Sequence, residues 1–125
     1  MFKNLNINPK SRKAGDCVIR AIAKASGKSW HTVFDELTDL ARSECAMPND
    51  RPIVKKYLER IGFHKVSVQP KPGCSRFRVK ELAEQLKTPA VVFIAGHLTA
   101  IDGFGNYIDT WDCGDKCAYQ LFALN

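Results

Sequence analysis

The spacing of apolar residues changes once along this chain, at Pro89, and that change limits the fold more than any other feature. Before it, apolar side chains recur mostly at the three- and four-residue steps of a helix face. After it they come in short β-branched and aromatic runs divided by glycine turns. Helices first and an antiparallel sheet after them is an α+β layout, with the helices packed on the sheet.

Gly15-Asp16 introduces the first helix, with Asp16 as a candidate N-cap and Ser26-Gly27 as the stop. Val18, Ile19, Ile22, Ala23 and Ala25 make much of its circumference apolar, which predicts a central position. Ser29 can cap a second helix whose apolar residues Trp30, Val33, Phe34, Leu37, Leu40 and Ala41 define one inward face. A third helix follows Asn49 or Asp50 and stops at Gly62, and a shorter fourth fits Val79–Leu86. Lys65–Gln69 alternates like a strand, and Gln69–Cys74 reads as a loop. Beyond Pro89 the predicted strands are Ala90–Ala95, His97–Ile101, Tyr107–Trp111 and Ala118–Leu124, the middle two joined as a hairpin through residues 102–106. Residues 1–13 lack sustained periodicity and read as an extended arm.

At 125 residues, with 45% apolar and 26% charged, the chain is expected to be one soluble domain over residues 1–125. Its longest apolar run, Ala90–Ala95, is far below the ~20 residues of a membrane span, and no secretory signal opens it. A cytoplasmic location and no membrane partner are therefore expected. Five cysteines, at 17, 45, 74, 113 and 117, are too few, too scattered and odd in number for a disulfide framework. Cys113 and Cys117 lack a second ligand pair at matching spacing, so neither a metal nor another cofactor is expected.

The net charge of +6 gathers at Lys10, Arg12 and Lys13 and in the segment holding Lys71, Arg76 and Arg78. Such a surface attracts acidic partners, but no basic helix or aromatic RNA-binding motif accompanies it. The same residues read equally well as a solvated face, and nucleic acid is not the partner expected.

Cys17 stands where the Gly15-Asp16 turn enters the central helix, so the unpaired N–H groups there favour its thiolate. Lys10, Arg12 and Lys13 would favour it further if the arm folds back, while Asp16 would oppose them. Position alone also fits a buried inert thiol. His97 opens a strand, and the hairpin returns Asp109 toward it. If the register sum is even, odd-numbered residues of both arms share a face, and the two side chains lie opposed or one step diagonal. An imidazole so partnered has its tautomer and direction fixed. His31 and His64 lack such a setting and read as surface residues.

Gly15-Asp16-Cys17-Val18, then Gly96-His97, then Asp109-Thr110-Trp111 resemble, in that order, the motifs of the papain-like cysteine peptidases. Asp in the third place is similar to the bacteriocin-processing branch and to the transglutaminases. The resemblance, from about Asp16 to the end, implies a papain-like fold and a Cys17–His97–Asp109 triad cleaving an amide or isopeptide bond in a peptide or protein. Trp111 would then shield the His–Asp contact, from the same strand face. The family's oxyanion-binding glutamine, six residues before the nucleophile, is replaced by Ser11, which leaves Asn8 and Ser11 as candidates beside the Cys17 backbone N–H. A stand-alone enzyme of the kind many phage and bacterial genomes carry fits the size. A cell-wall amidase shares the triad logic but needs an export route. The alternative function is a weak or inactive papain-like fold that binds an acidic protein or nucleic acid through its basic surface.

Overall fold

The computed structural model of the chain describes residues 1–67 and 76–124. It runs β1 (Phe2–Asn4), α1 (Cys17–Ser26), α2 (Trp30–Ser43), α3 (Arg51–Arg60), β2 (Phe63–Lys65), α4 (Val79–Gln85), β3 (Ala90–Ile94), β4 (His97–Ile101), β5 (Tyr107–Asp109) and β6 (Gln120–Leu124). The architecture is α+β. Among the described residues, its strands form one sheet in the order β1-β5-β4-β3-β6-β2.

Neighbouring strands run antiparallel except β1 and β5, which are parallel, with Phe2 opposite Tyr107 and Asn4 opposite Asp109. The sheet is therefore mixed rather than antiparallel. Its edge comes from residues that the sequence assigns to the extended arm. A three-residue strand carries no readable period; its partner, remote in the chain, makes it a strand.

Alternation along β3 divides the core. Val91 and Phe93 pack with Leu98, Ala100 and Phe122 beneath α1, α2 and α3. Ala90, Val92 and Ile94 face the other way, toward Val79, Leu82 and Ala83. The central strands are covered on both sides, which is why they read as apolar runs without alternation. In α1 the buried residues are Val18, Ala21, Ile22, Ala23 and Ala25, and Gly27 ends the helix in the left-handed conformation. Ser29 caps α2 by accepting the Thr32 N–H at 3.1 Å. The inward face of α2 is narrower than its apolar stripe: Phe34 is exposed and Trp30 half-buried, their rings stacked at 5.3 Å.

Several element boundaries move from their sequence positions. β2 begins at Phe63 rather than Lys65, because the fully buried Phe63 pairs with Leu124 while Val66 is exposed. The loop assigned to Gln69–Cys74, with Lys71 and Cys74, lies outside the described residues. β5 ends at Asp109, so Trp111 is beyond the strand and not on its face; β6 starts at Gln120 rather than Ala118.

Asp102 organises the β4–β5 hairpin, accepting the Phe104 N–H at 2.7 Å and the Asn106 N–H at 3.2 Å. Gly103 and Gly105 both have positive φ, at +86° and +90°, but only Gly103 is pressed against other backbone: a Cβ there would lie 2.9 Å from the Thr88 carbonyl carbon. Gly105→Ala should cost about 1–2 kcal/mol of left-handed strain. Gly103→Ala should cost more, because the Thr88 backbone must also give way. Denaturant unfolding of the two variants checks this order, and equal losses would contradict it.

Candidate active site

Asp16 occupies the N-cap position of α1 but does not cap it. Its buried carboxylate is taken by three other donors: Asn8 Nδ2 at 3.0 Å and Trp30 Nε1 at 2.9 Å on Oδ2, and Arg20 Nε at 2.9 Å on Oδ1. Burial would raise the Asp16 pKa, yet these donors together hold it below the ordinary value. The first-turn N–H groups of α1 are thus left without that side chain and point their partial positive charge at the helix start, where Cys17 sits.

Arg20, one turn into α1, reaches onward from Asp16 to Asp109, with Nη1 3.2 Å from Oδ1. Burial works against the guanidinium charge, but the two carboxylates outweigh it and raise the Arg20 pKa. One side chain therefore ties the start of the helix to the sheet. The Asp109 carboxylate is fully used: Oδ1 also accepts the Thr110 N–H at 2.7 Å, while Oδ2 accepts His97 Nε2–H at 2.6 Å and lies 3.7 Å from Cys113 Sγ.

With Nε2 turned to Asp109, the His97 nitrogen left to face Cys17 is Nδ1. Burial would depress the His97 pKa, but hydrogen bonds to Asp109 and Cys17 raise it to about 9. Burial would likewise raise the Cys17 pKa, and the His97 hydrogen bond, the Leu98 backbone and the charges of His97 and Arg20 lower it below the ordinary thiol value. Asp109 shows the same contest: burial raises its pKa and is outweighed, first of all by the His97 hydrogen bond. Both shifts act in the same direction, toward a thiolate beside an imidazolium that Asp109 holds. The Trp111 ring packs on the imidazole at 5.0 Å between centroids and covers it, although Trp111 is itself 41% exposed.

The hairpin geometry that joins these groups is diagonal. The β4–β5 ladder pairs Ala100 with Ile108 and Ile101 with Tyr107, an even sum, and extending it sets Trp111 opposite His97 with Asp109 one step diagonal. Thr99 Oγ1 takes the Ile108 carbonyl at 3.3 Å just past the last ladder pair. His97 and Asp109 thus stand beyond the ladder, at the end of the sheet, where the start of α1 meets them.

His97 and Asp109 are in contact, and Cys17 lies near enough to His97 for its pKa to be lowered by it. Asn8 does not present its amide to a substrate oxygen: Nδ2 faces Asp16 and Oδ1 accepts the Lys10 N–H at 3.0 Å. Ser11 is exposed, at φ 52°, and lines a cavity of about 470 Å³ beside Trp111. Beneath the sulfur is only a void of about 10 Å³, so reagents reach Cys17 from the outer side. Positive charge near the thiol comes from His97 and Arg20 rather than from Lys10, Arg12 and Lys13. Arg20 and Trp30 are the residues that sequence reasoning missed. The Asp16-x3-Arg20 spacing, which sets both on one helix face, was the available signal for the first. His31 and His64 are exposed, as are Cys45 and Cys117, while Cys113 is buried and burial pushes its thiol up to about 11.

Arg20→Met should cost about 3–5 kcal/mol, because it takes the shared guanidinium from two buried carboxylates, and Arg20→Lys should recover only part, since an ammonium cannot fork between them. Equilibrium unfolding checks both. A second outcome concerns pH. The raised His97 pKa contributes stability that is full below its ordinary 6.5 and lost as pH rises through about 9. The lowered Cys17 pKa contributes with the opposite slope, present above the ordinary thiol value and lost as pH falls through the folded one. In the wild type the two slopes have opposite signs. Cys17→Ala should expose a fall in stability as pH rises above 6.5, and a flat profile would contradict the His97–Asp109 pairing. No protein-family model matches the chain, and comparison with curated proteins and with solved structures finds no match for either its sequence or its fold.

Proposed function

We propose that this protein is a papain-like, thiol-dependent acyl-transfer hydrolase that cleaves an amide or isopeptide bond in a peptide or protein. The observation that carries the reading is the 2.6 Å contact of His97 Nε2 with the buried Asp109 Oδ2, with Cys17 close enough to His97 that each shifts the other's pKa. A nucleophile beside a base, with a third group orienting the base, is the arrangement that nucleophilic catalysis requires. The nucleophile heading a buried helix and the base opening a sheet strand resemble the papain-like layout.

In this reading the Cys17 thiolate attacks the carbonyl carbon, and the carbonyl oxygen takes up negative charge near the Cys17 backbone N–H. The His97 imidazolium then gives its proton to the leaving nitrogen as the carbon–nitrogen bond breaks. A thioester on Cys17 and a free amine result. Water, losing a proton to His97, attacks the thioester, releasing a carboxylic acid and restoring the thiolate and imidazolium. Asp109 holds the ring through both halves, and Arg20 and Thr110 hold Asp109. Trp111 keeps water from the His97–Asp109 hydrogen bond.

Asn8, turned to Asp16, does not supply the second oxyanion donor that the family uses. Losing one such donor typically costs a factor of about 10²–10³ in turnover, so a slow enzyme is expected. The same observation favours the alternative of a weak or inactive fold that binds an acidic partner.

Iodoacetamide should alkylate the half-buried Cys17 ahead of the exposed Cys45 and Cys117, and His97→Gln should abolish that preference. Hydrolysis of an internally quenched peptide library should vanish in Cys17→Ala and fall by about 10²–10⁴ in His97→Gln. Because catalysis needs the imidazolium, the rate should drop as pH rises through about 9. Alkylation that favours Cys45 or Cys117, or hydrolysis untouched by Cys17→Ala, would falsify the assignment.

A further inference from the structure

Resting on this catalytic reading, we propose that the leaving-group side of the substrate carries a carboxylate, bound in the cavity of about 470 Å³ against Arg12 and Lys13. The side follows from the chemistry. His97 must hand a proton to the departing amine, so the leaving portion lies on the His97 side of the sulfur. Trp111, packed on the His97 ring, and Thr110, next to Asp109, are walls of this cavity, which therefore borders the His97 side of the site. The pocket of about 180 Å³ on the other flank of the α1 start is lined by Val18, Ile19, Leu37 and Pro48, with no residue from β5 or the segment after it.

The charge follows from counting partners. Arg20 reaches the cavity but is shared between Asp16 and Asp109. Asp16 is answered by Arg20, Asn8 and Trp30. Both charges are thereby satisfied within the protein. Arg12 and Lys13 remain, exposed on the cavity wall and without an ion pair among the described residues. Their loop is tied in place: Asn6 Nδ2 donates to the Arg12 carbonyl at 3.2 Å, and the Ser11 N–H to the Asn8 carbonyl at 2.9 Å. The Ser11 and Thr110 residues beside them add hydroxyl groups that can donate to an anion. A carboxylate here gains charge-assisted hydrogen bonds, whereas a lysine at the same place is repelled. The carboxylate is either an acidic side chain just past the scissile bond or the terminal carboxylate of a short leaving segment.

Two peptide comparisons test the proposal. In one, library peptides differ only by Asp or Glu against Asn or Gln on the leaving side; in the other, the leaving segment ends in a free or an amidated terminus. Cleavage should favour the acid form of one comparison by roughly tenfold or more, and the favoured comparison names the source of the carboxylate. The doubly substituted Arg12→Gln, Lys13→Gln protein should lose most of that preference, and added salt should reduce it. The same peptides titrated calorimetrically into Cys17→Ala read binding without turnover and should show the same selectivity. Cleavage that depends on Cys17 but ignores charge overturns this inference and leaves the hydrolase standing. Acid-selective binding that requires Arg12 and Lys13, with no Cys17-dependent cleavage, keeps the anion site and removes the hydrolase. Selectivity unchanged in the double variant overturns the assignment to this cavity.

Discussion

Arg20 carries one charge and serves two buried carboxylates, Asp16 at the head of α1 and Asp109 at the end of β5. Each of the three groups is costly to bury alone, and the guanidinium fork answers that cost by holding both acids in fixed directions. Asp109 is then already aligned when it meets His97, and His97 when it meets Cys17. The separation between helix and sheet, on which any chemistry here depends, is fixed by this bridge as well as by the apolar packing of Ala21 and Ile22.

The choice of partners for Asp16 also shapes the electrostatics at the sulfur. A capping aspartate would have neutralised part of the field at the start of α1 and placed a negative charge beside the thiol. Here the carboxylate turns to Asn8, Trp30 and Arg20 instead. The helix start keeps its unpaired donors, and the nearest full positive charges are His97 and Arg20. A residue that composition alone would count against a thiolate thus ends up supporting the group that favours one.

The long elements were legible in the sequence because each carries its own signal. Ser29 and Gly27 mark helix ends by cap chemistry, and the apolar runs after Pro89 mark strands covered on both faces. What escaped notice depends on partners far along the chain. β1 is a strand only because β5 lies beside it, and Phe63 rather than Val66 anchors β2 because Phe63 is the one that reaches the core. At the site, Cys17, His97 and Asp109 could be named from helix position and hairpin alternation. Asn8 could not be placed from its type, since a carboxamide near a nucleophile serves equally as an oxyanion donor or as a prop for a neighbouring acid. Arg20 was hidden among helix residues, where an arginine on an i, i+4 spacing usually means a solvated pair.

Alternation puts His97 and Asp109 on one face, but by itself it does not bring that face to Cys17. Along β4 and β5 the odd-numbered residues Ile101 and Tyr107 pack on the α4 side of the sheet, while Cys17 belongs to the core on the other side. In a ladder that continued to residue 97, the imidazole would face α4 and the sulfur would meet backbone. The ladder instead closes after Ala100–Ile108, with the Thr99 hydroxyl taking up the Ile108 carbonyl. Past that point β4 and β5 no longer pair with each other, although His97 still pairs with Ile94 and Asp109 with Asn4, and Arg20 of α1 reaches Asp109 there. With the β4–β5 pairing this short, the diagonal rather than the direct cross-strand residue orients the histidine, and Trp111 is left to cover the ring.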